Sequence, residues 1–235
     1  MLHGFTGHPL SWMPVAEVAP PSWGPIVALA LAGHDPQAPP VASFEATVDA
    51  IASTLAEASI TAFDLVGYSL GARLGLGLMA RHPERVRAAT LLGLHPGLST
   101  LPDVAARRNA DARWVALLRE HGIAAFVEAW EQLPLWASQH ALASDVVANQ
   151  RTTRLEHDPA MLARSLETCG LAEMPDYRDV LLARTQPTSL VVGARDEKFG
   201  RIARGLADAG PRLTLRSVAG VGHNVPLERP QAVWG

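Results

Sequence analysis

Gly67-Tyr68-Ser69-Leu70-Gly71 stands between a short apolar run, residues 63–66, and a helix-like segment, residues 72–82. A Gly-x-Ser-x-Gly set where a strand turns into a helix is a nucleophile elbow. The turn is so sharp that the backbone at the serine is strained. The residues two before and two after it must be small, so that strand and helix can approach. Ser69 is then exposed at the tip of a sheet, and the next N–H, that of Leu70, faces whatever oxygen the hydroxyl attacks. The same five-residue pattern also occurs in turns that carry no chemistry. The rest of the chain must therefore supply a base, an orienting acid and an oxyanion site.

Two later loops offer the first two. The apolar run 189–193 ends in Ala194-Arg195-Asp196, and the run 213–218 leads into Gly220-Val221-Gly222-His223-Asn224. Both polar residues thus fall at the carboxyl end of an expected strand. The chain order Ser69, Asp196, His223 is that of the α/β-hydrolase fold. In these roles His223 takes the Ser69 proton as general base, and Asp196 fixes its tautomer and stabilises the imidazolium. The oxyanion is expected between the N–H groups of Leu70 and Phe5, the latter from the opening loop Leu2-His3-Gly4-Phe5-Thr6-Gly7. Each piece has a plainer reading. Asp196 also fits a helix N-cap, since a helix is expected from Phe199. His223 also fits a loop histidine held by backbone, and His3 is expected only to shape its loop. Three elements in the right order, each just after an apolar strand, favour the catalytic reading.

The order of elements agrees. Ile26-Val27-Ala28-Leu29-Ala30-Leu31 is continuously apolar and is expected to be a strand buried on both faces. Ser43 is a candidate N-cap for a helix to residue 58, with Phe44, Val48, Ile51 and Leu55 on one face. Residues 87–94 read as a further strand. Strands alternating with helices through short links predict an α/β fold, a mostly parallel sheet with helices on both faces. From residue 98 to 184 the periodicity turns helical, with helices expected at 111–121, 123–132, 138–150 and 159–170. This block reads as an all-helical cap inserted into a core made of residues 1–97 and 185–235, over the strand ends where ligands bind. A glycine-flanked loop such as the opening one normally follows a strand. An entering strand is therefore expected to be missing from this chain, and the helix begun after Pro226 to be cut short.

Composition narrows the function classes. The chain has 235 residues, 48% hydrophobic and 18% charged, with a net charge of −3. That is a globular composition without a basic footprint for nucleic acid. The single cysteine, Cys169, excludes an internal disulfide and suits a reducing cytoplasm. No Cys/His spacing reads as a metal site. No run is long and apolar enough to span a membrane, and the amino terminus lacks the charged-then-apolar pattern of a signal peptide. The expected partner is a small-molecule substrate, with a monomer or homodimer as the assembly.

Several stretches carry a family resemblance: the opening loop, Gly67 through Arg73, His95-Pro96-Gly97-Leu98, Trp130-Glu131-Gln132-Leu133-Pro134, Gly193 through Phe199, and Gly222-His223-Asn224. Over essentially its whole length the chain resembles an α/β hydrolase. More narrowly it is similar to the 2-succinyl-6-hydroxy-2,4-cyclohexadiene-1-carboxylate synthases of menaquinone biosynthesis. The resemblance implies elimination of pyruvate from a polycarboxylate cyclohexene, without metal or cofactor. In it the serine and histidine act as a base on a ring proton, and arginines hold the carboxylates. It implies substrate-binding roles for Tyr68, Arg73, Arg107, Trp130 and Arg154. Arg107 and Arg154 have close neighbours in Arg108, Arg113 and Arg151. Guanidinium is a bidentate fork for carboxylate, yet each arginine also fits a solvated or ion-paired helix residue, and Trp130 also fits core. A serine carboxylesterase for small or aromatic esters would use the same triad, with Ser69 as covalent nucleophile. The resemblance departs at Gly93-Leu94-His95-Pro96, where the family has a more glycine-rich turn.

Overall fold

A computed structural model describes residues 1–36 and 41–234. Four strands, β1 (Phe63–Tyr68), β2 (Val86–Leu92), β3 (Thr188–Gly193) and β4 (Leu213–Val218), form one sheet in that order. Every pairing is parallel. The runs of β1 and β3 give strands because they are covered on both faces: from Leu65 to Tyr68 and from Leu190 to Gly193 every residue is buried. Beyond β1 the sheet continues through single bridges, with Leu2 lying between Gly67 and Leu29. Leu2 donates to the Val66 carbonyl at 2.9 Å and accepts from the Tyr68 N–H at 3.0 Å.

Helices connect and flank the sheet: α1 (Met13–Glu17), α2 (Phe44–Glu57), α3 (Leu70–Arg81), α4 (Leu101–Glu131), α5 (Ser144–Leu155), α6 (Pro159–Cys169), α7 (Arg178–Ala183), α8 (Glu197–Ala209) and α9 (Val225–Glu228). Ser43 caps α2, its hydroxyl accepting the Ala46 N–H, and Phe44, Val48, Ile51 and Leu55 form the buried face. They join Leu74, Leu76 and Leu78 of α3 and Leu91 and Leu190 of the sheet in the main core. A second cluster, built from Leu118, Phe126, Leu162 and Leu166, holds α4 against α6.

Several expectations change at their edges, and two change in kind. The expected helices 111–121 and 123–132 belong to α4, which starts ten residues earlier and breaks at Gly122, where φ is 76°. The expected helix 138–150 is two elements. Pro134 opens a 3₁₀ segment to Ala141, Leu142 and Ala143 are extended, and α5 starts afresh at Ser144. Residues 26–31 do not form a strand. Only Leu29 bridges, and of this run only Leu31 is buried. An apolar run becomes a strand only where a neighbour offers hydrogen bonds along its length; among the described residues the main-chain partner here is Met1, bonded to Val27 and Leu29, while the Leu31 N–H goes to the His3 side chain. The link from β2 to β3 contains no strand among the described residues, as its helical periodicity predicted.

Candidate active site

The elbow is as tight as its sequence demands. Ser69 has φ 51° and ψ −105°, a conformation that side-chain-bearing residues seldom adopt. A Cβ on Gly67 would lie 2.5 Å from the Gly71 carbonyl oxygen, and one on Gly71 would lie 2.1 Å from the Leu2 carbonyl oxygen. The small residue after the serine is therefore required by the opening segment, and the one before it by α3.

The loops after β3 and β4 bring Asp196 and His223 to the serine. His223 Nε2 is 3.2 Å from Ser69 Oγ. His223 Nδ1 is 2.6 Å from Asp196 Oδ2, and both side chains are nearly fully buried. The helix-cap reading of Asp196 does not compete with the His223 contact: its other oxygen, Oδ1, accepts the Phe199 N–H at 3.1 Å and caps α8. The imidazole is packed by the Phe199 ring, 4.4 Å between centroids, and by Tyr68 at 5.4 Å. Beneath it Gly93 has φ 59°, and a Cβ there would meet His223 Cε1 at 2.8 Å. Glu228 was missed from sequence. Its carboxylate accepts the N–H of Gly222 at 2.8 Å and of Asn224 at 3.3 Å, gripping the loop on both sides of His223. Nothing in the spacing of a glutamate five residues after a histidine announces that.

The opening loop lies over the elbow. Among the described residues no hydrogen bond engages the N–H of Phe5 or of Leu70. His3 shapes the loop, as expected: its Nε2 accepts the Leu31 N–H at 3.2 Å, so its Nδ1 donates to the Gly4 carbonyl at 2.9 Å. His34 Nε2 accepts the Thr6 N–H at 3.3 Å. Burial pushes the His3 pKa down to about 3 and that of His34 well below its ordinary value.

Ser69 and His223 open into a cavity of about 490 Å³ that also reaches Phe5, Tyr68, Leu70, Arg73, Arg107 and Trp130. Six of the seven residues expected around the triad by sequence, the oxyanion pair included, therefore share one space with Ser69 and His223; Arg154 does not. Arg73 is anchored through Nη1 on the Cys169 carbonyl at 2.7 Å, at the carboxyl end of α6, and burial lowers its pKa to about 10. It keeps its charge at neutral pH. Arg107 pairs with Asp111 through Nε at 2.8 Å. Arg154 is buried against Glu131 at 3.0 Å and lies over the Trp136 ring at 5.1 Å. It lines a separate cavity of about 290 Å³ behind the wall formed by Phe5, Tyr68 and Trp136. Arg151 shares Glu131 with it. The hydroxyl of Tyr68 and the indole N–H of Trp130 are buried with no protein partner. Lys198, two residues after Asp196, lines the mouth of the serine cavity, and so does His95. Both stand inside the stretches that carry the family resemblance, which gave neither of them a place in the site. Among the described residues no group of three His, Cys, Asp or Glu side chains could hold a metal, and no helix is long and apolar enough to cross a membrane.

A parallel sheet with a strained serine at one strand end, and a histidine and a carboxylate from two later strand ends, defines a class of protein. Residues 1–234 match the alpha/beta hydrolase family, and the chain belongs to it. It is 34% identical over 233 residues to the 2-succinyl-6-hydroxy-2,4-cyclohexadiene-1-carboxylate synthase of Enterobacter sp. (strain 638), covering 99% of this chain and 86% of that protein. Among solved structures it is similar to MenH from S. aureus, with TM-score 0.91 and 25% identity over 98% of this chain and 88% of that one. A thermophilic esterase from Thermogutta terrifontis shares the fold, with TM-score 0.82 and 24% identity over 99% of this chain and 85% of that one.

Proposed function

We propose that this enzyme eliminates pyruvate from a polycarboxylate cyclohexene to form 2-succinyl-6-hydroxy-2,4-cyclohexadiene-1-carboxylate. The observation that carries the reading is the cavity: the serine end of the Ser69–His223–Asp196 relay faces a space bordered by Arg73, Arg107 and Lys198. A neutral ester does not call for three cations around its reacting bond, whereas a substrate bearing several carboxylates does. The relatives named for this reaction, one of them 34% identical along nearly the whole chain, support the same reading.

In the proposed mechanism His223, through Ser69, removes a ring proton beside the succinyl carbonyl. The C–H electron pair moves into the ring as an enolate, whose oxygen rests on the N–H groups of Phe5 and Leu70. The enolate then re-forms the carbonyl as a ring double bond appears and the carbon–oxygen bond to the pyruvyl group breaks. The departing enolate of pyruvate takes up a proton. Asp196 holds the imidazole in the tautomer that can accept at Nε2 and stabilises its protonated form. Arg73 and Arg107 hold carboxylates, and Tyr68 and Trp130 present their unpartnered O–H and N–H to the substrate. Removing one oxyanion donor from such a site costs about 3 kcal/mol of transition-state stabilisation.

A second reading has its own support. The Ser69–His223 contact and the two free N–H groups serve acyl transfer equally well, so a serine carboxylesterase is the alternative. One preparation tests both. Pyruvate release from the cyclohexene substrate, lost in Ser69→Ala, is the expected result. Hydrolysis of a p-nitrophenyl ester with a burst that vanishes in Ser69→Ala, and no pyruvate release, would replace the lyase reading with the esterase one.

A further inference from the structure

The turn after β2 carries a side chain that the mechanism above does not use. His95 lines the Ser69 cavity on the side of Arg73, Arg107 and Lys198. Its Nδ1 accepts the N–H of Gly97 at 3.2 Å, so the proton of the neutral ring sits on Nε2. No protein group among the described residues accepts that Nε2–H. The turn is held firmly on either side. The Pro96 carbonyl accepts the Tyr177 N–H at 2.9 Å, and Gly97, at φ 127°, lies where a Cβ would be 2.4 Å from Asp176 Cα.

The charged groups around the ring set its state. Burial first, then Lys198, Arg73, Arg107 and Arg178, push the His95 pKa down to about 4, so the ring is neutral at physiological pH. A cavity wall made only of cations pays in mutual repulsion whenever it holds no ligand. A neutral N–H among them adds direction to anion binding without adding to that repulsion. Carboxylate oxygens offer about four lone-pair sites in all, more than one guanidinium fork can fill.

We propose that His95 binds substrate directly, its Nε2–H donating to an oxygen of the carboxylate that the adjoining cations attract. The inference rests on the reading that this cavity takes a polycarboxylate. Two substitutions separate a ligand contact from a structural one. In His95→Asn the side-chain oxygen can still accept the Gly97 N–H, but nothing reaches the place of Nε2. In His95→Gln the longer amide can place an N–H there. His95→Asn is expected to lower kcat/KM for pyruvate release about tenfold or more, the size of a lost hydrogen bond to a charged group. His95→Gln is expected to recover most of it. Wild-type kinetics in His95→Asn, or equal losses in the two variants, would overturn the proposal. If the wild-type enzyme releases no pyruvate, the functional reading falls, and His95 is judged instead by succinate binding to ¹⁵N-histidine-labelled protein. Succinate should shift the His95 Nε2–H signal and bind several-fold more weakly to His95→Asn; succinate binding unaffected by that substitution would reject the contact.

Discussion

Asp196 shows how one side chain serves two ends. One oxygen orients His223 and the other caps α8 at Phe199. Asparagine at this position can keep the cap, because its carbonyl oxygen still accepts the Phe199 N–H, but it cannot hold the imidazole as a carboxylate does. Asp196→Asn should therefore melt close to the wild type while kcat falls by about 10³–10⁴-fold. Asp196→Ala should lose comparable activity and, with the cap gone, about 1 kcal/mol of stability. Urea unfolding and steady-state kinetics on both variants decide the matter; an Asp196→Asn enzyme with near-normal kcat would remove the orienting role. Arg73 is also doubly engaged, between the Cys169 carbonyl and the cavity. Arg73→Ala is expected to lower kcat/KM for the cyclohexene substrate tenfold or more, while Arg73→Lys, which keeps charge but not the fork, should fall between. Unchanged kcat/KM in Arg73→Ala would free this arginine from substrate binding.

At the scale of elements, the site depends on three loops at the carboxyl ends of β1, β3 and β4. The loop carrying His223 depends on Glu228, at the end of α9. Glu228→Ala leaves the Gly222 and Asn224 N–H groups without their shared acceptor. The expected result is about 2 kcal/mol lower stability and a loss in kcat with little change in KM, since the base is loosened while the cationic wall is untouched. A variant that changes KM alone would contradict this. Much of this level was legible in the sequence. β4 runs over the residues expected of it, and the loops on which Asp196 and His223 sit follow from the strands that precede them. Local pattern sufficed for β3 because a buried parallel strand is apolar throughout; in β4 only Leu213 is buried, and leucines at 213 and 215 with Val218, closed by glycines, mark it instead. It failed where the outcome depends on a distant neighbour. Residues 26–31 are apolar enough for a strand but pair through a single bridge, Leu29 to Leu2, with main-chain bonds to Met1 alone among the described residues. Arg154 lies three residues from Arg151 on one helix, and only the packing of α5 shows that both turn to Glu131 and away from the serine cavity. Glu131 itself stood inside a quoted motif, with no sign that it would hold either arginine.

Across the molecule, the opening loop is tied to the core by histidines that must stay neutral. The His3 and His34 rings lie 5.1 Å apart, and those of His34 and His157 5.4 Å apart. Burial lowers the pKa of all three, that of His3 to about 3. In the unfolded chain each titrates near 6.5. Between pH 6.5 and about 3 the unfolded state thus binds more protons than the folded one, so stability rises with pH through this window and is lost on acidification. Going from pH 7 to pH 5, His3 alone should cost about 2 kcal/mol, taking about 1.4 kcal/mol for each unit below 6.5. His34 and His157 add to the loss in the same direction. Urea denaturation at the two pH values measures the difference, and equal midpoints would reject the account. His157 is the third member of the group: its Nε2 is buried without a protein partner, and its ring also meets the backbone of Thr6 and His34. His157→Gln should narrow the gap between pH 7 and pH 5 while leaving the hydrogen bonds of the other two in place. Because His3 and His34 fasten the segment that carries the Phe5 N–H, activity should fall with stability over the same interval and return when the pH is restored. An enzyme that loses stability at pH 5 but keeps full kcat there would show that protonation unfolds the chain elsewhere first, leaving the oxyanion loop in place.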